Sequence, residues 1–158
     1  MHPIKIFIVS FLFLVLTQCG FKVLDKSELK KYKISLIETS GDKKINFLIK
    51  NDLMSNIQNN ISNEEIIIKI NSEKNKAIKE KNINNQITKY EISLNTQVEV
   101  IFIKENLNKL MSFNISGDYD VGDNHSTTIN NQNNLERLLT SKISAQIINK
   151  LSLIVNDF

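Results

Sequence analysis

The cleanest pattern in the chain is an alternation. Thr88, Tyr90, Ile92, Leu94, Thr96, Val98, Val100 and Phe102 fall on one face, and Lys89, Glu91, Ser93, Asn95, Gln97 and Glu99 fall on the other. A period of two is the strand period, and one apolar and one wet face mark a half-buried antiparallel strand. The pattern predicts one long strand over 87–103. A second alternation runs over 109–119, with Met111, Phe113, Ile115 and Tyr119 set against Ser112, Asn114, Ser116 and Asp118. Glu105-Asn106-Leu107-Asn108 between them reads as a turn, so the two strands are expected to pair as a hairpin. Upstream, Ile66, Ile67, Ile68 and Ile70 are β-branched and suit a strand from Glu64 to Ile70. The Lys-, Glu- and Asn-rich stretch from Ser72 to Asn85 reads either as its continuation into a hairpin end or as a loop. A short strand, Ile34 to Thr39, is closed by Ser40-Gly41-Asp42.

Two stretches switch to the helical period. Ile45, Leu48, Ile49, Leu53 and Ile57 recur at spacings of three and four, with Asp42 placed to cap the first turn, which predicts a helix over 43–59. Leu135, Leu138, Leu139, Ile143, Ile147, Leu151 and Ile154, widened by Ala145, Ile148 and Val155, predict a second over 127–155. Arg137, Lys142, Gln146 and Lys150 occupy its other angles, so it is no membrane span. The order is β-α-β-β-β-α. Elements with one apolar face each bury it in layers, so the expected fold is α+β: a two-layer sandwich of two amphipathic helices on a mostly antiparallel four-stranded sheet. Strand order does not follow from the pattern.

The first residues have a different character. Lys5 precedes an apolar run from Ile6 to Leu16, broken only by Ser10, and then Thr17-Gln18-Cys19-Gly20. A charged start, a short apolar run and a small-polar cut site read as a secretory signal peptide. The run is well short of the roughly 20 apolar residues that span a bilayer. The only cysteine of the chain ends it. Leu16-Thr17-Gln18-Cys19 resembles a lipoprotein cleavage site at three of four positions, Gln18 being the departure. Cys19 is therefore the expected lipidation residue, since a lone exposed thiol in an exported protein has no disulfide partner. Two or three acyl chains there would anchor the chain stably, where one binds only marginally. The expected organisation is a signal peptide over 1–18, a lipidated tether over 19–33 and one sandwich domain over 34–158.

Charge adds little. The leader takes only Lys5 from the 20 basic side chains, and 17 acidic ones oppose the rest. Such a balance gives no footprint for nucleic acid. Nor does an enzyme constellation emerge. His125 has Asp123 and Ser126 nearby in sequence, but neighbours in one loop are not a triad. Asp118, Asp120, Asp123 and Asn124 lack the glycine and closing glutamate of a calcium loop and read as an Asx-turn and helix cap. No catalytic residue, metal site or cofactor is expected.

The chain as a whole resembles the LPS-assembly lipoprotein LptE, in its short alphaproteobacterial form. The resemblance rests on Cys19-Gly20-Phe21 with Val23-Leu24, on the β-α-β-β-β-α order, and on Tyr119-Asp120-Val121-Gly122-Asp123-Asn124 leading into the last helix. It departs at Lys22-Val23-Leu24-Asp25, where the family often has proline-leucine and then tyrosine. The resemblance implies a lipid-anchored protein on the periplasmic face of the outer membrane, seated in an LptD-type β-barrel and contacting lipopolysaccharide. On this reading Lys74, Lys76, Lys79, Lys81 and Lys89 are expected to meet lipid A phosphates as point charges, against the plainer reading of a solvated hairpin tip. The wet strand face of Ser93, Asn95 and Gln97 with Ser112 and Asn114 is the expected alternative contact, with a barrel lumen. A lipid-binding or carrier lipoprotein unrelated to the translocon is the competing function, and it requires a large apolar cavity.

Overall fold

A computed structural model of the chain describes residues 28–57, 62 and 64–156. The expected signal peptide, the expected lipidation residue Cys19 and most of the expected tether lie outside them. The elements are β1 (Tyr32–Gly41), α1 (Lys43–Ile57), β2 (Glu64–Lys81), β3 (Ile87–Phe102), β4 (Leu107–Asp120) and α2 (His125–Val155). They build the expected α+β sandwich. The strands lie in the order β1-β2-β3-β4, with β1 and β2 parallel and the other two pairs antiparallel. The sheet is thus mixed. The parallel pair follows from α1, which carries the chain back before β2 begins, as a parallel neighbour requires.

The alternating residues face as read. Ile92, Leu94, Thr96, Val98, Val100 and Phe102 of β3 are buried under the helices, beside Ile66, Ile68 and Ile70 of β2. Ile45, Ile49, Leu53 and Ile57 of α1 and Leu139, Ile143, Ile147, Leu151 and Val155 of α2 close the core from above.

The elements are unequal in length. β3, with 16 residues, spans roughly 53 Å at the strand rise, and α2, with 31, roughly 46 Å at the helical rise. α1, with 15 residues, covers only about half of that. β1 stops where Gly41 lies beside Ser72, while β2 runs on to Lys81 paired with β3. A two-helix sandwich therefore passes into a three-stranded extension roofed by α2 alone.

Of the two readings open for the Ser72–Lys81 stretch, the continued strand holds, because the long ladder to β3 supplies its hydrogen bonds. Two other readings need correction. The domain begins before residue 34: Glu28–Lys31 form a 3-10 turn, Leu29 and Tyr32 are in the core, and the Tyr32 ring meets Phe102 edge-on at 5.5 Å. Leu138 is 52% exposed and Ala145 is exposed. The buried line of α2 runs through Glu136, Leu139, Thr140, Ile143, Ser144, Ile147 and Ile148, leaving those two at its flanks.

The corner between β1 and α1 is held by backbone geometry. Gly41 has φ of +87°, and a Cβ there would lie 2.2 Å from the Ser72 carbonyl oxygen. Asp42 donates its N–H to that same oxygen at 2.7 Å, and its Oδ1 accepts the N–H groups of Lys44 and Ile45 at 3.0 Å each, capping α1. Gly41→Ala is expected to lower stability by more than about 1 kcal/mol, since both the left-handed conformation and the contact forbid a side chain. Urea unfolding of the two proteins checks it.

Candidate functional site

The extension needs something to fasten it to the helices. Glu136 supplies it. This glutamate sits on the buried side of α2 with 0% exposure. Lys44, in the first turn of α1, donates to its Oε2 at 2.5 Å, and Lys74 of β2 and Gln132 of α2 donate to its Oε1 at 3.2 and 3.0 Å. Lys74 also reaches Asp42 at 3.4 Å, and Lys44 also donates to the Asn133 Oδ1 at 2.8 Å. One carboxylate thus joins both helices to β2. Burial pushes its pKa up, but hydrogen bonds from Lys44, Gln132 and Lys74 outweigh this and hold it below the ordinary glutamate range. Burial likewise lowers the Lys74 pKa, and the Glu136 hydrogen bond and charge override it, leaving that ammonium raised.

One step further along the extension, Lys76 Nζ stands 4.1 Å over the Tyr90 ring, which stacks on Tyr119 with centroids 5.6 Å apart. Lys76 and the Tyr119 hydroxyl both donate to Gln132 Oε1 at 3.0 Å. α2 approaches β4 closely here: a Cβ on Gly117 would lie 2.9 Å from Leu135. The arrangement is a latch of ion pairs and stacked rings.

The five lysines named from the sequence do not converge. Strand alternation sends them to opposite faces. Lys74 and Lys76 lie under α2. Lys79 pairs with Asp118 at 2.6 Å and Lys89 with Glu80 at 3.1 Å, on the outer face and tip. Lys81 donates to the Asn85 side chain at 3.0 Å in the turn. His125 opens α2 and is exposed, while Asn124 caps that helix by accepting the Thr127 N–H at 2.8 Å. Among the described residues, no three His, Cys, Asp or Glu side chains gather as a metal site. No helix among them is long and apolar enough to cross a membrane.

The outer sheet face carries the second feature. Three cross-strand rows align there: Asn71, Gln97 and Ser112; Glu73, Asn95 and Asn114; Asn75, Ser93 and Ser116. Eight of these nine side chains are amides or hydroxyls. The Lys69–Glu99 pair, at 3.4 Å, borders the field at one end and Lys79–Asp118 at the other. The result is a largely exposed polar platform with one charged member, Glu73. The sequence named five of its members.

Glu136 was missed. Its signal was its place on the helix, three residues before Leu139 and seven before Ile143, on the apolar stripe itself. A glutamate at such an angle is buried with partners or breaks the helix face.

Glu136→Ala is expected to cost about 3 kcal/mol, because it leaves Lys74 without its main partner and opens a void. The pH dependence has a definite sign. A depressed carboxylate pKa gives stability that is present above the ordinary glutamate value, about 4.3, and lost as pH falls through the folded value. Lys74, being raised, contributes below its ordinary value and loses that contribution as pH climbs through the folded one. Thermal unfolding against pH is expected to show a shallower acid-side slope in Glu136→Gln.

No protein-family model matches the chain, and no curated protein sequence does. Solved structures match in fold. Rare lipoprotein B from Shewanella oneidensis superposes with a TM-score of 0.58 at 13% identity, over 77% of this chain and 97% of its own. A candidate lipoprotein from Caulobacter crescentus gives 0.57 at 13% identity, over 84% and 95%. Lipoprotein B from Nitrosomonas europaea gives 0.56 at 13% identity, over 80% and 88%. The sandwich described above is therefore similar to the fold of these lipoproteins, along nearly their whole length.

Proposed function

We propose that this chain is a non-enzymatic outer-membrane lipoprotein, anchored through acylated Cys19, that seats beside or within an LptD-type β-barrel and assists lipopolysaccharide transport. The observation that carries the reading is the amide and hydroxyl platform on the outer sheet face. A surface destined for a water-filled barrel lumen must stay hydrated while offering hydrogen bonds in both directions, and uncharged amides and hydroxyls do both. The platform is carried by β2, β3 and β4, whose other face is filled by the helices. The lipoprotein descriptions of the three structural neighbours support the anchor, as does the resemblance of residues 16–21 to a lipoprotein site.

The chemistry of the interior supports a non-catalytic role. Among the described residues, the fully buried Glu136 carboxylate is engaged by Lys44, Lys74 and Gln132. The carrier alternative needs an apolar hollow. The grooves between the helices are instead small and surface-lying, one of about 230 Å³ bounded by Leu48, Asp52, Arg137, Thr140 and Ser141. For lipopolysaccharide, the five lysines are proposed to act separately: Lys76 and Lys81, which carry no carboxylate partner among the described residues, are the ones open to a phosphate.

Co-purification from membranes tests the barrel partnership. A large β-barrel protein is expected at equal stoichiometry, and Asn114→Arg, which places a positive charge among Asn95, Ser112 and Ser116 on the platform, is expected to reduce its recovery about tenfold without changing thermal stability. Recovery equal to the parent protein would sink the platform as the contact. Cys19→Ser is expected to leave the domain folded and to release it from membranes on flotation in cells lacking the barrel.

A further inference from the structure

The free edge of β1 has what a docking strand requires. Among the described residues β1 pairs with β2 alone, so its other edge presents main-chain N–H and C=O groups. Ser35 marks an irregularity between Ile34 and Leu36, and from Leu36 to Gly41 the register with β2 is continuous. That stretch contains no lysine and no proline, two residues that commonly blunt an exposed edge, and its one charged side chain is Glu38.

The side chains above this edge are open as well. α1 turns Leu48, Asp52 and Asn56 toward the grooves it shares with α2. On the opposite side it holds Lys43, Phe47 and Lys50 over the end of β1. With Thr39, Ser40, Gly41 and Asn46 they line a groove of about 470 Å³. Phe47 is 63% exposed, and Leu36, on the other face of the strand, is 47% exposed. Neither Lys43 nor Lys50 makes an ion pair among the described residues, whereas Lys44, one position along, is fully engaged. Asn46 is buried in the groove wall; it donates to the Ser40 carbonyl at 2.6 Å, and its Oδ1 has no partner.

We infer that the β1 edge from Leu36 to Gly41 is a strand-addition site for an extended acidic segment of another protein. The main chain would pair along β1, apolar side chains would cover Leu36 and Phe47, and carboxylates would meet Lys43 and Lys50. Charge chooses this occupant over a second copy of the chain. Antiparallel self-pairing would set Lys33, at the start of one β1, toward the corner where the other already holds Lys43 and Lys50. The inference stands apart from the barrel reading, since it uses the sheet edge and not the platform.

The probe is a short fluorescein-labelled peptide of alternating glutamate and valine, with a lysine–valine peptide and an N-methylated glutamate–valine peptide as comparisons. Anisotropy is expected to show binding of the first only. The double variant Lys43→Glu, Lys50→Glu is expected to weaken it at least about tenfold, and Phe47→Ser by a similar factor. All three positions are exposed, so the variants are expected to keep the parent's melting temperature. Hydrogen exchange is expected to slow at Leu36–Gly41 when the peptide is bound. The proposal is overturned by equal binding of the N-methylated peptide, which cannot pair along the edge, or by undiminished binding to the charge-reversed variant. It is equally overturned by a concentration-dependent dimer in sedimentation that the peptide fails to dissociate, and by anionic lipid vesicles binding through Lys43 and Lys50 while the peptide does not.

Discussion

The constraint on which this structure rests is a mismatch of lengths. Three strands run beyond the first helix, and a sheet left uncovered there would expose apolar side chains such as Ile92 and Leu94. The chain resolves this with one helix long enough to roof both halves. α2 packs against α1 over the proximal core and lies alone on the extension. Where the roof changes from two helices to one, the core turns polar: Ser72 and Thr96 share a buried hydroxyl contact at 3.1 Å. Glu136 enters just beyond it, with Lys44 and Lys74.

A buried ion network of this kind is a poor source of net stability, because desolvation consumes much of what the charges gain. Its value here is geometric. The carboxylate accepts from α1, β2 and α2 at once, so it fixes how far the extension is rotated relative to the sandwich. The hydroxyls of Thr140, Ser144 and Ser152 act differently. Each donates to the carbonyl four residues earlier in α2, which satisfies it within the helix and keeps its side chain small. The buried line of α2 thus alternates bulky isoleucines with small residues.

The two sheet faces then take separate roles. The inner face is committed to the helices. The outer face is left polar, with Glu73 the one charge in its three central rows and ion pairs at its borders, which suits contact with a hydrated surface. The same fold recurs in the three lipoproteins at 13% identity.

Much was legible in the chain itself. Element order, the buried residues of β3, the cap at Asp42 and both amphipathic helices follow from period and side-chain chemistry, because burying one face of a strand or helix imposes its spacing on the sequence. Three things came only from the tertiary structure. The choice of strand over loop for Ser72–Lys81 is made by its partner β3, and hydrogen-bond pairing leaves little mark on the composition of the dependent strand. The scattering of the five lysines depends on which neighbour each meets after alternate residues part to opposite faces. The burial of Glu136 depends on residues 92 and 62 positions away, Lys44 and Lys74, and no local pattern reports partners at that distance.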